Sequence, residues 1–174
     1  MIKNIRKVSN IRYASIREMD ISNGEGVGVA LFVQGCHFHC YNCFNPDTWD
    51  FNGGKEWTNE VEKKFFELAN RPYIKRISLL GGECLAEENV EDVTVLAKKC
   101  KEKFPEKEIW LWSGYDFETH ISHLEITKYV DYIIDGKYIE DLKDISLLYR
   151  GSSNQNVWKK EINDSEEEKW YREM

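Results

Sequence analysis

"QGCHFHCYNCFNPDTWD", residues 34–50, holds three of the chain's five cysteines, spaced C-x3-C-x2-C. An apolar, β-branched run, "VGVALFVQ" (27–34), leads into it and stops at Gly35. Such a run predicts a buried strand that delivers the cysteines on the loop at its end. Pro46, Asn52, Gly53 and Gly54 mark the turns that bring the chain back.

Working outward, strand and helix patterns alternate. "TNEVEKKFFELAN" (58–70) predicts a helix with Thr58 as N-cap and Val61, Phe65, Phe66 and Leu68 as its apolar face; Pro72 stops it. "KRISLL" (75–80) predicts the next strand, with "GGEC" at its end. "EENVEDVTVLAKKCKEK" (87–103) has acids in its first turn and lysines in its last, as the helix dipole prefers, and Pro105 ends it. "EIWLW" (108–112) predicts a third strand closed by "SGY", and "DYIID" (131–135) a fourth followed by "GKY". Residues 116–129 are expected to be helical, 139–149 to hold a short helix, and 151–155 to form a polar loop. The tail "KKEINDSEEEKWYREM" is expected to be a solvated helix or a frayed end.

This alternation means parallel strands with crossover helices. About four to six units fall short of a closed eight-strand barrel, which takes ~250 residues. The expected fold is α/β, an open, incomplete (βα) barrel, in one domain over residues 1–174 with its core at about 11–155. The chain has 174 residues, 41% of them apolar, enough to bury a core. Its net charge of −7, with no basic stripe, argues against nucleic acid as a partner. No apolar run has the length of a membrane span, and "MIKNIRKVSNIRYAS" lacks the apolar core of a secretory signal. A cytoplasmic protein is expected. An odd cysteine count with tight clustering fits a reducing compartment and a metal-type site.

Four unusual segments fall at strand ends: the cysteine loop, Gly81-Gly82-Glu83, Ser113-Gly114 and Asp135-Gly136-Lys137. In parallel α/β folds chemistry collects at that edge. Thiolates are soft ligands for iron–sulfur clusters or zinc. Three of them leave one iron of a cube open, as a catalytic metal site does, and the amine and carboxylate of an amino acid suit that vacancy. The competing reading is a zinc knot completed by His37 or His39. Gly81 and Gly82 allow a close backbone approach to a ligand or make a plain turn. Glu83 accepts from an ammonium or holds that turn. Asp135 and Lys137 bind a carboxylate or ribose, or pair with each other. Cys84 is a fourth ligand, a redox partner or, as favoured here, a packing residue; Cys100 is expected to pack in its helix. Trp110 and Trp112 face one side of their strand, Ile109 and Leu111 the other. His120 and His123 are expected at the surface.

Taken together, the cysteine cluster, "SLLGGECL", "IWLWSGY" and "DYIIDGKYIEDLKDISLLYRGSSNQ" resemble the radical S-adenosylmethionine enzymes. Within them the chain is similar to the activating proteins of anaerobic ribonucleoside-triphosphate reductases. The resemblance runs from about residue 11 to 155, and its last block is the most specific. It implies a [4Fe–4S] cluster on Cys36, Cys40 and Cys43, with S-adenosylmethionine on the unique iron. Asn42, Cys43 and Phe44 would border the adenosyl part, and Gly82 the methionine amine. Gly81, Glu83, Ser113, Asp135 and Lys137 would complete the cofactor contacts. Many relatives carry an aromatic residue just before the third cysteine; here Asn42 stands there, between Tyr41 and the cysteine, and which side chain meets the adenine stays open. Cys84 stands where the family usually has Pro. The implied activity is reductive cleavage of S-adenosylmethionine and formation of a glycyl radical on the reductase, with flavodoxin or ferredoxin as electron donor. Activation of a formate-lyase type enzyme and a non-enzymatic zinc or iron–sulfur module are the alternatives.

Overall fold

The computed structural model describes residues 9–173. Residues 1–8 of the N-terminal stretch discussed above, and residue 174, lie outside the described residues. The elements run β1 (Arg12–Asp20), β2 (Gly28–Val33), β3 (Lys55–Glu56), α1 (Asn59–Ala69), β4 (Arg76–Gly81), α2 (Val90–Lys103), β5 (Glu108–Trp112), β6 (Tyr132–Asp135), β7 (Asn156–Ile162) and β8 (Glu168–Glu173). Within the described residues they make one eight-stranded sheet in the order β3-β1-β2-β4-β5-β6-β7-β8. The pairs β2–β4, β4–β5 and β5–β6 are parallel; antiparallel strands flank them on both sides. The result is a mixed α/β fold whose sheet does not close.

Each parallel strand feeds both faces of the sheet. Val29, Leu31, Val33, Ile77, Leu79, Ile109, Leu111 and Ile133 pack with Phe65 and Ala69 of α1 and Val93, Leu96, Ala97 and Cys100 of α2. The alternate positions, Ala30, Phe32, Leu80, Trp110, Tyr132 and Ile134, form two smaller clusters on the other face. There Trp110 stacks on Tyr132 with centroids 3.9 Å apart. The Trp110/Ile109 alternation therefore sorts as the sequence predicts. Thr58 caps α1 as expected, its hydroxyl accepting from Val61 N–H at 3.2 Å.

At the start of β4, Arg76 is fully buried on this second face. Its guanidinium donates to Ser78 Oγ (2.7 Å), to the Asp20 carbonyl (2.9 Å) and to Asp20 Oδ1 (3.1 Å). Two more bonds go to the Glu25 and Gly26 carbonyls. The loop "NGEGVG" wraps this side chain: a Cβ at Gly24 or Gly28 would stand 2.6 Å from Arg76 carbons. Burial pushes the Asp20 carboxyl upward, but bonds from Asn23 and Arg76 outweigh it and hold the group below the usual carboxylate range.

Two expectations hold in part and one needs correction. Residues 116–129 are helical as expected, but as a short π-helix (Phe117–Ile121) and a 3-10 helix (Glu125–Lys128), not as one regular α-helix. The Ile121 and Ser122 amides reach back five residues, to the Asp116 and Phe117 carbonyls, while Asp116 caps the segment by accepting the Thr119 N–H. Residues 139–149 hold only the 3-10 turn Glu140–Leu142. The tail is the hairpin β7–β8, neither helix nor frayed end. Trp158 and Trp170 pack on Phe117 at 4.4 and 5.4 Å. Asn163 closes its turn by accepting from the Ser165 and Glu167 amides. β1 is a further strand that the patterns above do not reveal.

Removing the Asp20 carboxylate strands a buried guanidinium. We expect Asp20→Ala to cost about 3–5 kcal/mol, measured by urea unfolding; a loss below about 1 kcal/mol would show that Arg76 is satisfied by the carbonyls and the Ser78 hydroxyl.

Candidate functional site

The C-terminal ends of β2, β4, β5 and β6 border an open cleft of about 540 Å³. Its lining includes Cys36, Cys40, Cys43, Phe38 and Phe44 from the loop after β2, and Gly81, Gly82 and Glu83 from the turn after β4. Ser113 and Gly114 after β5, and Gly136 and Lys137 after β6, complete that edge. All four strand-end segments singled out in the sequence thus meet in one place. Two named residues do not join them. Asn42 has φ 56° in the turn closed by the Cys43 N–H on the Cys40 carbonyl, and its exposed side chain reaches Glu140. Asp135 is buried, with its carboxylate taken by the N–H groups of Phe117 and Asn156 and by the Asn156 side chain. It serves as a latch between β6, β7 and the turn at Phe117. Of the candidate partners for an adenine, Phe44 lines the cleft, whereas Tyr41 and Asn42 stand outside its lining.

The cysteine loop is held by backbone contacts. Gly35 N–H donates to the Thr48 carbonyl (2.6 Å) and Cys36 N–H to Trp49 (3.1 Å). From the neighbouring turn, Gly82 N–H reaches the Val33 carbonyl and Glu83 N–H the Gly35 carbonyl, both at 2.7 Å. A Cβ on Gly82 would lie 2.5 Å from the Gly35 carbonyl oxygen and 2.9 Å from that of Thr48. Gly82 is therefore small because the cysteine loop packs on it. The double glycine in the sequence is the signal, although it does not say which neighbour crowds it.

All three thiols are half-buried and free. Burial pushes the Cys36 thiol up, partly offset by the N–H groups of Phe38 and His39 aimed at it. Burial and then the neighbouring Cys43 push Cys40 up, against the Tyr138 N–H and the Lys137 charge. Asn45 N–H points at Cys43 Sγ from 3.4 Å. N–H donors around soft sulfurs are what thiolate-bound iron–sulfur clusters use, so the donor set fits one. Both imidazoles offered for a zinc knot are engaged elsewhere. His37 Nε2 lies 2.8 Å from Glu88, and His39 stacks flat on Trp49 at 4.4 Å. Cys84 and Cys100 are fully buried in the helix-side core, where they pack.

Glu83 is buried behind the glycines. Its carboxylate accepts from Ser113 Oγ (2.9 Å) and from the Leu85 (2.9 Å) and Gly114 (2.5 Å) N–H groups. It ties the end of β4 to the end of β5. Burial outweighs these three bonds and pushes its pKa up to about 7. The "DGK" and "RGSSNQ" blocks clasp each other in a similar way. Gln155 Oε1 accepts from the Gly151 and Ser152 amides while its Nε2 donates to the Gly136 carbonyl. Asn154 Nδ2 donates to the Lys137 carbonyl at 2.7 Å. Lys137 Nζ then sits 4.7 Å from the centre of the Phe38 ring.

Two outcomes follow from these contacts. Gly82→Ala must displace the cysteine loop, and we expect anaerobic reconstitution to load markedly less iron and sulfide per chain than wild type. Glu83 holds its proton more tightly folded than unfolded. Its contribution to stability is therefore complete below pH 4.5, the ordinary carboxyl value, and is lost as pH rises through about 7. The lost stability is about 3 kcal/mol. Urea unfolding across pH 5–8 should show this slope in wild type and not in Glu83→Gln; an equal slope in both would reject the assignment.

Comparison with known proteins agrees with the site. Residues 22–158 match the family described as a 4Fe-4S single cluster domain. The anaerobic ribonucleoside-triphosphate reductase-activating protein of Enterobacteria phage T4 is 43% identical over 148 residues, covering 85% of this chain and 94% of the phage protein. Proteins of the same name from Salmonella typhi and Escherichia coli K12 are each 39% identical over 150 residues, covering 84% of this chain and 97% of theirs. With that identity spread over most of its length and a matching cluster-domain family, the chain belongs to the anaerobic ribonucleoside-triphosphate reductase-activating proteins.

Proposed function

We propose that Cys36, Cys40 and Cys43 hold a [4Fe–4S] cluster in the cleft, that S-adenosylmethionine binds beside it, and that the chain thereby installs a glycyl radical on an anaerobic ribonucleoside-triphosphate reductase. The observation that carries this is the meeting of the three cysteines with the ends of β4, β5 and β6 in one open cleft. The open sheet with helices on one face is read as the incomplete barrel of the radical S-adenosylmethionine type.

When bound, the cluster and S-adenosylmethionine supply a one-electron reduction of the sulfonium and the hydrogen abstraction that follows. The chain's own residues bind, orient and shield. Held by the three thiolates of Cys36, Cys40 and Cys43, a cluster would leave room beside it for the amine and carboxylate of the methionine part. The edge formed by Gly81 and Gly82 offers backbone at close range to that amine. Lys137, held over Phe38, supplies a positive charge for the carboxylate. Phe44 offers a ring face for the adenine. Ser113 and Glu83 act one step back, by fixing the β5 end that borders the cleft. Flavodoxin or ferredoxin is the proposed donor of the electron, and the cytoplasm the proposed compartment. Among the described residues no helix is long and apolar enough to cross a membrane.

The test is anaerobic reconstitution with iron and sulfide, followed by reduction with S-adenosylmethionine present. We expect 5′-deoxyadenosine from wild type and from Cys84→Ala, and none above background from Cys36→Ala, Cys40→Ala or Cys43→Ala. Product from any of the three, or its loss in Cys84→Ala, would overturn the ligand assignment.

A further inference from the structure

Buried polar atoms are normally hydrogen-bonded, and each exception needs a reason. Among the described residues, five buried side-chain polar atoms have no partner. Two of these, Trp49 Nε1 and Arg150 Nε, belong to residues that line the cleft. Arg150 has further guanidinium donors, one of them on the Gln155 carbonyl at 2.8 Å. An indole has a single donor, so the whole hydrogen-bonding capacity of the Trp49 side chain is unused. The other tryptophan of the cleft, Trp112, spends its indole N–H on the Tyr149 carbonyl at 2.8 Å. A buried donor shut off from water costs stability unless a group of the site accepts from it.

Trp49 is fixed by the segment that carries the thiols. Its backbone carbonyl accepts the Cys36 N–H at 3.1 Å, and its own N–H donates to the Pro46 carbonyl at 3.2 Å. Its ring lies flat on His39, with centroids 4.4 Å apart and 8° between the planes. Cys36, Cys40 and Cys43 line the same cleft as this ring. Main-chain donors already face the three sulfurs: the Phe38 and His39 amides at Cys36, Tyr138 at Cys40 and Asn45 at Cys43. Metal ligation turns thiols into thiolates, acceptors that suit a charge-assisted N–H bond. We propose that the Trp49 indole N–H donates to a sulfur of the bound cluster and thereby raises its reduction potential. Such a bond stabilises the reduced cluster, with its extra negative charge, over the oxidised one. The inference rests on the cysteine ligation proposed above. It adds a side chain that sets how readily the cluster accepts an electron.

The experiment uses the full chain grown with tryptophan labelled at the indole nitrogen with nitrogen-15, reconstituted anaerobically with iron and sulfide, and reduced with dithionite. Pulsed electron paramagnetic resonance of the reduced wild-type cluster should show a nitrogen-15 coupling. Trp49→Phe keeps a ring to stack on His39 and drops the N–H, and it should lose that coupling. In a redox titration at the wild-type midpoint, its ratio of reduced to oxidised cluster should be about tenfold lower, or about 59 mV for one electron. Iron and sulfide per chain should match wild type. A normal reduced-cluster signal in wild type without the coupling overturns the inference. So does a coupling that persists in Trp49→Phe, or an unchanged midpoint. Should Trp49→Phe fail to load a cluster, the wild-type coupling decides alone: its presence supports the bond and its absence overturns it. A wild-type protein that gives no [4Fe–4S] signal at all sinks the cluster assignment, and the inference with it.

Discussion

Everything at the cleft depends on how closely two backbones approach: the turn after β4 lies against the loop after β2 with no side chain between them. Gly82 and Gly35 meet where a methyl group would stand 2.5 Å from a carbonyl oxygen. Two hydrogen bonds of 2.7 Å lock that contact. The first cysteine follows directly, so its position is inherited from the sheet through bonds between main chains. Glu83 extends the same logic to β5, and the Gln155 clasp to β6. The cleft is an edge at which four strand ends are tied to one another.

The face opposite the helices has its own requirement. A sheet covered on one side only must satisfy the other with something besides helices. Here the far end of that face is closed by Arg76, a charge buried among carbonyls and one carboxylate, and its middle by stacked Trp110 and Tyr132. The near end stays open. That division, sealed below and open above, leaves room for a ligand without exposing the whole apolar face.

Much of this was legible in the sequence where the physics is local. β2, β4, β5 and β6 announce themselves because both faces are buried and their runs are apolar. Thr58 caps α1 by chemistry that three residues determine. The cysteine spacing identifies a soft-metal site without coordinates. What stayed hidden depends on a partner distant in the chain. β1 carries Arg12, Arg17, Glu18 and Asp20 and is a strand because β2 and β3 pair with it. In β8, Trp170 alone packs inward among charges, which mimics a solvated tail. Asp135 and Asn42 have residue types that suit ligand binding, yet their side chains turn to the protein itself, and sequence does not say which donors will claim a carboxylate.

The hairpin at the C-terminus has an effect at a distance. Trp158 and Trp170 grip Phe117, whose amide is bonded to Asp135, whose next two neighbours carry Gly136 and Lys137 into the cleft. The last two strands thus behave as a keystone for the lysine, even though none of their residues borders the opening. A shortened chain ending at Gln155 would keep every cysteine and every glycine of the motifs and still have a slack fourth wall.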